Sequence, residues 1–311
     1  MTIRYIEPLS QAFNRMKKAL FQPFDIRKWF IVGFTAFLAE MTDCHRGSNG
    51  QARKKVDDFD LGDLIAFPSR AWNWLTYNPL WAALIVAGIL FVVALIILST
   101  WLGSRGKFMF LDNIVHDRAL ISQPWRQYGH QANSLFLWRL AFGLICFLIF
   151  VGFLINGYNT AAHFYESDTS RSSIFFTFLG QGLALILFFL VASFIAMLLN
   201  SFIVPIMYKH DQSACGAWNA FLPLLTRHFL HFLLYGILVF FLHILIVIGV
   251  VLGGLFTCCL GFILLIIPYI GSVVLLPISY TLRAFSLEYL GQFDPDLMLF
   301  PDEAAQIPDA T

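Results

Sequence analysis

Phe229–Leu282 reads FLHFLLYGILVFFLHILIVIGVVLGGLFTCCLGFILLIIPYIGSVVLLPISYTL, 54 residues without one Asp, Glu, Lys or Arg. As one helix it would reach about 80 Å at ~1.5 Å per residue, against a hydrocarbon core of ~30 Å. The chain must therefore fold back. The place is Gly253-Gly254-Leu255-Phe256-Thr257-Cys258-Cys259, where glycines and a threonine interrupt the branched aliphatics. The stretch reads as a transmembrane hairpin.

The rest of the 311 residues agrees. The chain is 59% apolar and 13% charged, with a mean hydropathy of +0.73, whereas a soluble domain carries about 25% charged residues. A net charge of +1 gives no footprint for nucleic acid. The charges are segregated: residues 1–28 hold six bases, and the tail after Arg283 holds six acids and no base. Five cysteines without framework spacing argue against a disulfide scaffold. The first residues lack the apolar run and small-residue cleavage site of a signal peptide.

Taken in order, residues 8–21 form an amphipathic helix, with Leu9, Ala12, Phe13, Met16 and Leu20 opposite Arg15, Lys17 and Lys18. Such a helix suits either an anionic leaflet or the protein's own inner surface. Trp29–Met41 is a short first span and residues 42–79 are a polar loop. Further spans are expected at Leu80–Leu102, Ser134–Ile155, Phe176–Leu199 and the two limbs of the hairpin. The helix of the fourth span continues past Asn200, with Pro205 as a kink. Amphipathic segments fall at 103–133 and 209–228, carrying Trp125 and Trp218.

This is an all-α membrane protein of six transmembrane helices, arranged as three repeats of an amphipathic helix plus two spans. Trp125 precedes Gly143 at the spacing by which Trp218 precedes Gly236, and His116-Asp117 echoes His210-Asp211. The units are 1–102, 103–207 and 208–290 of a single transmembrane domain, followed by an acidic cytosolic tail, 291–311. With the N-terminus inside, inner segments carry 14 Lys/Arg and outer ones 6, which places both termini in the cytoplasm.

Residues that could carry chemistry each have a plainer role. His243 falls near mid-bilayer, where an ionisable group is a functional candidate, but a neutral imidazole bonded to a helix serves packing. Gln181, between Gly180 and Gly182, is a second intramembrane polar candidate. Arg139, one turn into a span, can snorkel to the surface. Gly249 and Gly253 make a Gly-x-x-x-Gly contact face, within or between chains. Cys258 and Cys259 suit close helix packing. His228 and His231 have metal-ligand spacing without a third ligand. Phosphate-loop, His-Glu-x-x-His and Gly-x-Ser-x-Gly motifs are absent, so neither catalysis nor a cofactor is expected.

Trp101–Trp125 (WLGSRGKFMFLDNIVHDRALISQPW), Cys258–Pro277 and Arg283–Phe293 resemble uncharacterised bacterial membrane proteins. Their architecture is similar to YciC-type inner-membrane proteins and to the membrane domain fused to some glycerophosphodiester phosphodiesterases. His45-Arg46-Gly47 resembles the opening of the phosphodiesterase active site, without its glutamate or further carboxylates. The resemblance implies an all-helical protein of the bacterial cytoplasmic membrane and transfers no catalytic residue. The expected role is non-enzymatic, organising the membrane or scaffolding partners. Anionic lipids, a second copy or other membrane proteins are the partners. The alternatives are a small-solute or lipid transporter or channel with a path between the repeats and, more weakly, a lipid-modifying enzyme. In a cysteine-free background, single cysteines in Asn156–Ser173 and in the acidic tail should react with impermeant maleimide from opposite sides of the membrane.

Overall fold

The structure, a computed structural model, describes residues 4–41, 61–166, 171–257 and 260–300. Among these all regular structure is helical. In chain order the α-helices are α1 (Ile6–Phe21), α2 (Ile26–Glu40), α3 (Leu61–Tyr77), α4 (Pro79–Val115), α5 (Ser122–Gln127), α6 (Gly129–Glu166), α7 (Arg171–Leu198), α8 (Val204–His210), α9 (Ala214–Arg227), α10 (Phe229–Phe256), α11 (Leu260–Ile266), α12 (Pro268–Val274) and α13 (Leu276–Gly291). A π turn, Leu199–Ile203, joins α7 to α8 without a break.

Four helices among the described residues are long and apolar enough to cross a membrane: Pro79–Val115, Gly129–Tyr165, Ser173–His210 and Phe229–Phe256. Their most apolar windows are 0, 0, 11 and 0% buried in protein, so lipid must cover them. Against the six spans expected, four candidate helices are found among the described residues. α2 has only 15 residues, about 22 Å of helix, and its Val32, Gly33, Thr35, Ala36, Leu38 and Ala39 are buried in protein. The return limb of the hairpin breaks into α11, α12 and α13. Ile267 takes an extended ψ of 112° ahead of Pro268, as the residue before a proline prefers, and α13 begins around Pro277. Two further expectations are revised. Residues 103–115 continue α4 and leave only Ser122–Gln127 as the short surface helix, and Leu61–Tyr77 is helical. Cys258, Cys259, the His45-Arg46-Gly47 motif and the tail beyond Phe300 lie outside the described residues.

The chain forms two compact units. Residues 44–99 and 139–193 make one, residues 1–43, 100–138 and 194–311 the other. The first is mostly exposed apolar helix. Within it, Phe150 and Phe153 of α6 meet Phe189 and Phe188 of α7 at 5.9 and 6.1 Å between ring centres. The second unit holds nearly all the buried core. Phe202 of the π turn lies 5.7 Å from Phe221, 5.0 Å from Phe232 and 4.9 Å from Tyr235, tying α9 and α10 to it. The apolar stripe of α1, with Ala12, Met16 and Leu20 buried, lies on α13, where Arg15 Nε also meets Glu288 Oε1 at 2.5 Å.

Glycines let α2 nest between its neighbours. A Cβ at Gly106 would sit 2.5 Å from Ala39 N, and one at Gly33 would sit 2.6 Å from Val273 Cγ2. Gly106→Val should therefore lower stability by about 1–3 kcal/mol or more. Gly88→Ala, whose Cβ would meet nothing within 4 Å, should be neutral or stabilising through its helix propensity. Thermal midpoints in detergent test both.

Candidate functional site

The site forms where α4 ends. Asp117 turns the chain with φ 48°, in the left-handed region that Asp tolerates better than most residues. Asn113, 2% exposed, then holds the turn with both ends of its amide. Its Nδ2 donates to Leu120 O at 3.1 Å, and Leu120 N donates to its Oδ1 at 2.9 Å. The chain folds back along the helix end and lays Arg118 against Asp112.

Asp112 is fully buried. A carboxylate taken from water costs several kcal/mol unless donors replace the lost hydration, and here they converge. Arg118 donates through Nε at 3.1 Å and Nη2 at 2.8 Å to Oδ2. Tyr208 OH donates to Oδ1 at 3.0 Å and Tyr128 OH lies at 3.4 Å. His116 Nδ1 is 3.3 Å away. The rings of Tyr128 and Tyr208 are 4.8 Å apart. Burial, aided by the Asp112 charge, pushes the Tyr128 hydroxyl above its usual 10.0, so it stays protonated as a donor.

Arg118 also lines an open cleft of about 250 Å³ together with Asp25, Arg27, Lys28, Ile31, Asp117 and Ala119. Lys28 Nζ donates to Ala19 O and to Asp117 Oδ1, both at 2.8 Å. Asp25 caps α2, accepting from Arg27 N at 2.8 Å. Trp29 Nε1 donates to Leu20 O at 2.8 Å, pinning the loop before α2. The chain from the end of α1 to the start of α2 presents Phe21, Phe24 and Ile26 at 45, 60 and 63% exposure.

A second polar node surrounds the π turn, whose wider hydrogen bonding loosens the usual i→i−4 pairing. Asn200 O accepts from Arg283 Nη1, and Asn200 Oδ1 accepts from Lys107 Nζ, which is 5% exposed. Nearby on α13, Ser279 Oγ donates to Glu40 Oε1.

The residues singled out from the sequence lie elsewhere. Lys17 and Lys18 are exposed on α1, while Arg15 is engaged with Glu288 and stacks 4.2 Å over Phe300. Trp125 packs edge-on against Trp101, with Arg105 4.8 Å above its ring. Trp218 stacks on Trp138 at 5.5 Å. His243 Nδ1 bonds Val239 O of its own helix at 2.7 Å. Gln181 Nε2 reaches Phe153 O at 3.4 Å, and Arg139 is half-buried. Cβ atoms at Gly249 and Gly253 would meet nothing within 4 Å, so this pair makes no close helix contact with the described residues. Asp112 was missed because it stands alone in KFMFLDNIV, a pattern that reads as an apolar helix with one solvated acid. Arg118 six residues on, past a helix end, was the available signal.

Apolar helices of this length, exposed along their most apolar windows, define an all-helical multi-pass membrane protein. The chain belongs to a family of unknown function, DUF7544, whose profile matches residues 4–276. No curated protein and no solved structure matches it, so the likeness to YciC-type proteins and to the phosphodiesterase membrane domain rests on the sequence stretches alone.

Arg118→Met should destabilise the fold by about 3–5 kcal/mol, since it leaves Asp112 buried without its cation. Tyr208→Phe should cost roughly 1.5–3 kcal/mol for one bond to a charged acceptor. A chemical denaturation series in detergent ranks them. Because the Tyr128 proton is held more tightly in the folded chain, stability should fall as pH rises past 10.0, and less steeply in Tyr128→Phe.

Proposed function

We propose that this is a non-enzymatic integral protein of the bacterial cytoplasmic membrane that organises its surroundings by holding anionic lipids and membrane partners, with both termini in the cytoplasm. The observation that carries the reading is the rim beside the cleft. Exposed Phe21, Phe24 and Ile26 adjoin Arg27 and Lys28, the pairing of rings and bases found at headgroup depth. Lys17 and Lys18 add two exposed bases on α1. In the same reading the chain is built from repeats. His116-Asp117 and His210-Asp211 support this, since both aspartates take positive φ, 48° and 53°, within two residues of a helix end.

A solute path is the second reading, favoured by the Lys107–Asn200–Arg283 node, whose Lys107 is buried, because buried ionisable groups on helices that cross a membrane commonly mark pathways. Liposome flux measurements that respond to Lys107→Met would favour it over the first.

The first reading is tested by purifying the full chain in mild detergent and identifying the bound lipids and proteins. Anionic lipid should be enriched over the membrane extract, and a bound fraction matching the extract would sink the idea. Lys17→Gln with Lys18→Gln should weaken binding to anionic vesicles about fivefold per charge, on ~1 kcal/mol for each base near the surface. Added salt should reduce the difference.

A further inference from the structure

We propose that the cleft between the start of α2 and the turn after α4 is a binding site for a phosphate group, the one borne by a lipid headgroup. The inference rests on the lipid-contact reading and gives it a location and a chemistry.

Three cationic side chains face the cleft, and each has donors to spare. The Arg27 guanidinium is exposed, with no hydrogen bond or ion pair among the described residues. Arg118 spends Nε and Nη2 on Asp112, leaving Nη1. Lys28 uses two donors, on Ala19 O and Asp117, and an ammonium has three. Two guanidinium groups beside an ammonium match the acceptor oxygens of a phosphate.

The buried polar knot explains how one wall of this site is fixed. A flexible arginine loses side-chain entropy when it binds an anion. Arg118 has lost most of that freedom already, because a fully buried carboxylate braced by Tyr208 and Tyr128 holds it. A second, independent feature points to lipid as the source of the phosphate: the stretch from the end of α1 into Arg27 exposes Phe21, Phe24 and Ile26, apolar groups that acyl chains would cover.

Two carboxylates also line the cleft, and they give the proposal its sharpest test. Asp25 is committed to capping α2. Asp117 is 60% exposed and pairs with Lys28, so it competes with an incoming phosphate for that ammonium. Asp117→Asn removes the competitor, and asparagine tolerates the left-handed backbone at this position.

The experiment is calorimetric titration of the full-length protein in mild detergent with dihexanoyl phosphatidylglycerol, glycerol 3-phosphate and phosphate-free dihexanoylglycerol. Wild type should bind the phospholipid more tightly than dihexanoylglycerol. Arg27→Gln, a change at an exposed side chain, should weaken binding roughly tenfold without moving the thermal midpoint. Asp117→Asn should tighten binding severalfold, a direction that a purely structural role for the Asp117–Lys28 pair would not give. Equal affinity of wild type, Arg27→Gln and Asp117→Asn for phosphatidylglycerol would overturn the proposal. So would binding of dihexanoylglycerol as tight as that of the phospholipid. If glycerol 3-phosphate binds as tightly as the phospholipid, the phosphate site stands and its assignment to lipid falls. Unchanged enrichment of anionic lipid in purified Arg27→Gln would locate the failure in this cleft and leave the broader lipid-contact reading intact.

Discussion

A helix of 37 residues, such as α4, measures about 55 Å, and a bilayer offers only ~30 Å of hydrocarbon. The surplus must go somewhere, with its polar groups satisfied. In this protein it goes into a packed unit. Residues 100–115 of α4, 129–138 of α6 and the run from Phe194 through α8 belong to the same unit as α1, α9 and α13. Every buried charge described above arises from that overrun. Lys107 and Asp112 continue a helix whose earlier turns are fully apolar, and Asn200 follows directly on α7. The helices thus change solvent along their length, from lipid to protein, and only α7 marks the change in its backbone, with the π turn at Leu199–Ile203.

The change of solvent explains the chemistry of the site. Where α4 is coated by lipid, its sequence from Trp81 to Leu98 has no charge to satisfy. Where protein coats it, an aspartate becomes affordable because a neighbouring turn can return an arginine to it and other elements can supply tyrosines. Such an ion pair contributes little net stability compared with an apolar replacement of the same shape. Its value is geometric. It fixes the direction of Arg118 and, through Asn113, the path of the turn that carries Asp117.

The sequence made the lipid-facing half of the fold plain and the protein-facing half obscure, for one reason. Charge-free runs such as Leu80–Leu102 and Phe229–Phe256 can satisfy their backbones only as helices, so their identity depends on composition alone. The limb after Cys259 is as apolar as these, yet Pro268 and Pro277 divide it, and hydropathy does not weigh two missing N–H donors. α2 has the composition of a span and the length of a packed helix. Its nesting against Gly106 and Val273 depends on residues far away in the chain. The site was illegible for the same reason. Asp112 and Tyr208 stand 96 positions apart, and no local period connects them. The stretch that carried the family resemblance, Trp101–Trp125, does contain Asp112 and Arg118. It was recognisable as a pattern before it was interpretable as a clamp.

The π turn at Leu199–Ile203 has a consequence for how this helix could have arisen and could vary. A wide turn accommodates one residue more than the α-helical repeat requires, and one residue of an α-helix is worth roughly 100° of rotation. Phe194 and Met197, before it, face Gly236 of α10, while Phe202, within it, reaches Phe221, Phe232 and Tyr235. Excising a single residue here would leave the rod unbroken yet swivel everything downstream, carrying Tyr208 away from Asp112. The angular phase of the whole lower helix is therefore stored in one surplus amino acid.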